Sequence, residues 1–286
     1  MDNLKAKKRH PEEIAVYTAI YVCAAFSVLL LLGIIIYVFA KGARRVNWAF
    51  LTGVTSILHG TVGIAGNILN TLIIILLTMI ITTPIGVGAA IYLNEYAKPG
   101  KLVTVIIFAT ETLAGIPSII FGLFGMLFFG QLCHMGYSLL TGSLTLTLMV
   151  LPLVTRNTQE ALKTVPDSFR TGAVGLGAGK WYTIRTILLP SAMPGIVTGV
   201  ILAIGRIIGE SAAFLFTAGS AHLLPKTFDA FLEKIFHSGG TLTIQLYLSA
   251  SKGEFEVAFG IAVVLLVIVL LINFGTKRLA KKLEKH

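Results

Sequence analysis

The sequence predicts an all-α membrane protein with six transmembrane helices, and three observations carry that prediction. Only 13% of the 286 residues are charged and 55% are hydrophobic, against about 25% charged in a soluble domain. Several apolar runs reach the length of about 18 residues at which one helix crosses a bilayer. These runs also lack the short alternating pattern of an outer-membrane barrel, and an unpaired backbone in hydrocarbon costs several kcal/mol per group. A soluble globule is excluded.

Taken in order, residues 1–13 form a basic N-terminus with Lys5, Lys7, Lys8 and Arg9, followed by a first crossing over 14–40. That pairing resembles a signal peptide, but the apolar stretch far exceeds an h-region of about 7 to 15 residues. It reads as a retained anchor. Further crossings are expected over 67–93, 103–130, 138–155, 194–219 and 256–275, before a basic tail at 276–286. Pro84 should kink the second and Pro117 the third. The third would be about 42 Å long as a straight helix, against a core of about 30 Å, so it must tilt, bend or break near Gly115-Ile116-Pro117. The 29 glycines suit close helix packing in lipid.

With the N-terminus inside, 16 of the 23 Lys and Arg fall on cytoplasmic pieces, 6 on outer pieces, and Arg206 lies within the fifth crossing. The positive-inside rule therefore puts both termini in the cytoplasm. The same bias accounts for the net charge of +10 without a nucleic-acid partner. Lys41, Arg44 and Arg45 run locally against the rule. Cys23 and Cys133 are too few for a disulfide framework and read as lipid-buried thiols. No internal repeat is visible, which removes support for one common carrier architecture.

Between the fourth and fifth crossings, 156–191 is too polar for lipid and too patterned for a linker. Glu160-Ala161-Leu162 begins a helical turn, Val165-Pro166-Asp167 breaks it, and Asp167 or Ser168 can cap a second helix. Gly175, Gly177 and Gly179 interrupt that helix, and Trp181, Ile184, Ile187 and Leu188 resume an apolar period. The pattern is helix, glycine elbow, helix; an amphipathic segment lying on the membrane surface fits it as well. Gly177 is the elbow or an ordinary C-cap glycine.

Thr171-Gly172-Ala173, Gly177, Ile187, Leu189 and Pro190 fall on the spacing E-A-A-x(3)-G-x(9)-I-x-L-P. This resembles the EAA loop of ABC importer permeases, with Thr171 in place of Glu and Gly172 in place of Ala. Residues 70–96, 111–124, 157–166 and 205–219 are together similar to the permeases of phosphate importers within that family. The resemblance implies a type I, MetI-like permease domain over 66–275, with the 156–191 loop forming coupling helices that dock on an ATPase subunit. It further implies a second permease subunit, an ATPase dimer that holds the ATP and magnesium, and an extracytoplasmic phosphate-binding protein.

Glu111, Arg206 and Glu210 are ionisable residues within crossings. Each costs about 2.5 to 3.5 kcal/mol at a helix centre, so all three should face protein or water. Arg206 and Glu210, four apart, should share a helix face, either as a structural ion pair or as part of a translocation path. On the path, Arg206 would contact an oxyanion while Glu210 and Glu111 limit how tightly it is held. Arginine alone does not tell phosphate from sulfate or molybdate. Asn70 and Asn94 read as capping or interface hydrogen-bonding residues.

Gly179-Lys180 lacks a Walker A frame, with Val174 at the first glycine position and Trp181 in place of Ser or Thr. Histidines and cysteines show no metal-binding spacing, and no nucleophile elbow or carboxylate pair marks an active site. The expectation is a transporter subunit with no catalytic residues, metal or cofactor of its own. A stand-alone ion-coupled carrier using Glu111 or Glu210 for a proton is the main rival.

Overall fold

A computed structural model describes residues 11–56, 61–225 and 227–283; Lys5, Lys7, Lys8 and Arg9 of the expected anchor flank lie outside them. The described residues open with α1 (Pro11–Gly42), which among them buries almost nothing of itself and leans on the last helix, where Tyr37 meets Phe259 edge to face at 5.7 Å. Next come α2 (Trp48–Thr52), capped by Asn47 accepting from the Phe50 N–H at 2.8 Å, and the antiparallel hairpin β1 (Val54–Ser56) with β2 (Thr61–Ile64). Helix α3 (Ala65–Ile91) continues through a π-helical turn to Tyr96.

Helix α4 (Lys101–Gly115) and α5 (Ser118–Gly125, prolonged by a π-helical segment to Leu132) meet at 103° across Ile116-Pro117. The overlong third crossing thus breaks where proline removes a backbone donor. Helix α6 (Leu139–Lys163) is capped by Ser138 and followed by α7 (Asp167–Gly175), α8 (Lys180–Thr183) and α9 (Leu189–Gly209). Short helices α10 (Ala212–Thr217), α11 (Phe228–Glu233) and α12 (Leu242–Ser251) precede the final α13 (Phe255–Leu283). Among the described residues, five helical stretches are long and apolar enough to cross a membrane, and the bent α4–α5 pair makes a sixth crossing if taken as one.

Two boundaries differ from the sequence expectation. Glu160-Ala161-Leu162 is not a separate helix but part of the last turns of α6, which runs on to Lys163 with Ala161 and Leu162 buried. The fifth crossing starts at Lys180, not 194, because a π-helical segment at Ile184–Leu188 precedes Pro190 and absorbs its missing N–H, and it stops at Gly209.

Helix α6 is the centre of the bundle. Glycines bring three neighbours against it: a Cβ on Gly86 (α3) would lie 2.9 Å from Val154, on Gly125 (α5) 2.0 Å from Thr145, and on Gly195 (α9) 2.5 Å from Ala161. Such close approach replaces hydrophobic drive as the source of cohesion in lipid. Buried hydroxyls on α6 bond back along their own helix, Thr145 to the Thr141 carbonyl at 2.8 Å and Thr147 to that of Ser143 at 2.9 Å. One core joins Ile74, Leu146, Val150, Ile207 and Phe214; a second, at the loop end, joins Leu162, Val165, Ile184 and Leu188.

Candidate functional site

Along α6, Met149, Pro152, Arg156, Gln159 and Lys163 recur every three or four residues, with Leu153 beside Pro152, and so share one face. That face lines an open groove made of two adjoining cavities, about 340 Å³ and 170 Å³, which share Thr110, Glu111 and Arg156. The opposite face, including Leu146, Val150 and Val154, is buried. From Met149 to Lys163 the groove follows about 21 Å of helix toward the α7 loop. Helix α4 contributes Glu111 and α9 contributes Arg206, both exposed to it.

Among the described residues, Glu111 and Arg206 form no ion pair, and Arg156 has only a loose one with Glu160 at 3.4 Å. With the Arg156 and Glu160 side chains 67% and 63% exposed, that pair is worth little. Two guanidiniums facing a common space can share a tetrahedral oxyanion through paired hydrogen bonds, and apolar walls such as Leu113, Met149 and Leu153 strengthen each contact. Glu111 brings the opposite charge to the same space.

Glu210 is not in the groove. Helix α9 has ended, Glu210 has extended backbone (φ −80°, ψ 130°), and its buried carboxylate accepts the Ala213 N–H at 3.1 Å to cap α10. Its carbonyl accepts from Thr243 at 2.7 Å. The shared helix face expected for Arg206 and Glu210 does not exist, because the i, i+4 rule fails once the helix stops.

At the loop, Gly177 has φ +79°, its N–H donates to the Val174 carbonyl at 2.9 Å, and Ala178 N–H donates to Ala173 at 2.9 Å. This is a Schellman closure of α7, so the elbow and the C-cap are one structure. Thr171 and Gly172 are exposed, and the Thr171 hydroxyl bonds back to Asp167 at 3.2 Å. Ala173 is buried, whereas Ile187 and Leu189 pack inward on the loop-end core and Pro190 lies exposed at the start of α9. The expected cap at Asp167 or Ser168 is absent: α7 starts from Pro166 without a side-chain cap, and Asp167 turns to Arg170 at 3.0 Å.

Residues 82–286 match the family described as binding-protein-dependent transport system inner membrane component. The chain belongs to this family. It is 35% identical over 273 residues to the probable ABC transporter permease protein YqgI of Bacillus subtilis (strain 168), covering 92% of this chain and 93% of that one. It is also 35% identical over 246 residues to the phosphate transport system permease protein PstA of Xylella fastidiosa (strain Temecula1), covering 84% and 82%. In fold, it superposes on a bacterial alginate ABC transporter with a TM-score of 0.70 at 14% identity, over 96% of both chains. It also superposes on the MetNI methionine ABC transporter with a TM-score of 0.57 at 21% identity, over 77% of this chain and 94% of that one.

As a binding-protein-dependent permease, the chain is an integral inner-membrane protein with the type I importer permease fold, and a transporter component. Several residues of this permease were not singled out by sequence. Arg156 and Lys163 count there only as loop charges, although Pro152, Arg156, Gln159 and Lys163 follow one another at three- and four-residue steps that place them on the groove face. Val174 and Leu176, 66% and 91% exposed at the loop tip, are apolar side chains standing free among glycines. Arg170 is tied to Glu95 on the turn after α3; hydrogen bonding to Glu95 makes its guanidinium hold its proton more firmly than an ordinary arginine.

Proposed function

We propose that this chain is one permease subunit of an ATP-driven phosphate importer, with the α6 groove as its half of the translocation path. A second permease closes the groove, an ATPase dimer that binds ATP and magnesium docks on the α7–α8 loop, and an extracytoplasmic phosphate-binding protein delivers the ion. The permease domain spans 66–275, and both termini are cytoplasmic. One observation carries the reading: Glu111, Arg156 and Arg206 converge on one open groove that leads to the coupling loop. Phosphate as the ion is supported by the similarity to the PstA permease.

ATP binding closes the ATPase dimer, the loop around Gly177 follows as a rigid body, and the groove switches from outward to inward access. Arg206 holds the ion, Arg156 receives it further along α6, and Glu111 favours its release. Arg206→Gln is expected to lower ATP-driven phosphate uptake into proteoliposomes at least about tenfold at matched protein levels, since it removes a charge-assisted contact. Wild-type uptake by the variant would take Arg206 off the path. Uptake by the chain alone without nucleotide would instead establish the ion-coupled carrier, and preferential uptake of sulfate or molybdate would reassign the ion.

A further inference from the structure

Helix α3 is pinned at both of its ends, and the pins lie on opposite sides of the bundle. At the loop end, the Arg170 Nη2 donates to Glu95 Oε1 at 2.9 Å, and the guanidinium also reaches the Leu162 and Val165 carbonyls, each at 3.0 Å. The Glu95 side chain is only 8% exposed and also accepts from Asn94 at 2.7 Å. From the other limb of the elbow, the Lys180 ammonium sits 4.7 Å over the Tyr96 ring. Both limbs therefore hold the same π-helical turn, Tyr92–Tyr96.

At the far end, fully buried Asn70 donates to the Ala221 and Gly240 carbonyls, both at 3.0 Å, and Asn67 donates to Gly240 at 3.0 Å. These carbonyls belong to the segment between α10 and α12. From Asn67 to Tyr96 the helix spans about 44 Å. Its backbone is internally bonded except where Pro84 lacks an N–H, and the helix runs on unbroken past that point, so α3 transmits displacement along its axis as the loops at its two ends do not.

We infer that α3 is a strut joining the coupling loop to the outer 221–241 segment, with Glu95 and Asn70 as positioning residues at its two joints. A push on α7 reaches the outer segment through Arg170, Glu95 and the α3 axis, and the docking of a loaded binding protein outside reaches the loop by the same route. This rests on the importer reading above.

The test uses the complete transporter in proteoliposomes, comparing basal ATP hydrolysis with hydrolysis stimulated by phosphate-loaded binding protein. Glu95→Gln and Arg170→Gln are each expected to cut stimulation about tenfold while basal hydrolysis and assembled yield stay near wild type. Asn70→Ser should do the same from the other end. Because the joints act in series, Glu95→Gln with Asn70→Ser should lose no more than either alone; losses that multiply overturn the strut. Stimulation that is unchanged, or that falls only in proportion to yield, also overturns it. Should Asn70→Ser fail to assemble, Glu95→Gln and Arg170→Gln decide. If wild-type proteoliposomes show no ATP-driven uptake, the importer reading fails instead.

Discussion

Lys234, in the segment between α10 and α12, is buried and its ammonium donates to the Leu223 carbonyl. Burial lowers its affinity for a proton below that of a free lysine. Between its folded value and the unfolded value of about 10.4, the unfolded chain binds more protons, so stability rises with pH in that window. The penalty is present in full below the folded value and is relieved above it. Compared with Lys234→Gln, the wild-type protein in detergent should gain thermal stability as pH is raised from about 7 toward 10; a flat or opposite difference counts against the burial effect. At this scale, Glu111 and Arg206 were legible as charges inside apolar runs. Glu210 was placed wrongly because Gly209, inside an apolar run, reads as a close-packing residue as readily as a helix stop. Arg170 was illegible because its partner Glu95 is 75 residues away, a distance that no local pattern spans.

The elbow between α7 and α8 depends on one backbone conformation. A Cβ on Gly177 would meet nothing within 4 Å, so its φ of +79° is the only obstacle to substitution. That conformation costs an ordinary L-residue about 1–2 kcal/mol, and Asn less. Stimulated ATP hydrolysis is therefore expected to fall in the order Gly177, Asn, Ala, Val, with Gly177→Ala losing about five- to thirtyfold if the elbow angle sets docking. Equal activity for Asn and Val would remove the conformational argument. The glycine elbow was legible because a helix stop needs a residue tolerant of positive φ. The continuity of the helix through Pro190 was not, because π-helical turns carry no sequence signature equal to that of proline.

Five apolar spans, the bent α4–α5 pair with its break at Pro117, and a polar segment after α6 were legible from hydropathy and length. The groove was legible only as two separate charges, Glu111 and Arg206, since its shape arises from α4, α6 and α9 crossing. Ala114 is small, exposed and on the groove wall. In the assembled transporter, Ala114→Cys should react with a membrane-impermeant maleimide from opposite sides of the membrane in nucleotide-free and ATP-trapped states. Labelling from one side only would exclude alternating access at this level. The open groove has a consequence for biogenesis: a solitary copy inserted without a mate would turn Glu111, Arg156 and Arg206 toward lipid, at about 2.5–3.5 kcal/mol for each one near mid-bilayer. Matched synthesis of this chain and the second permease proposed above, and proteolytic disposal of the surplus, are what such an unshielded seam demands of the cell.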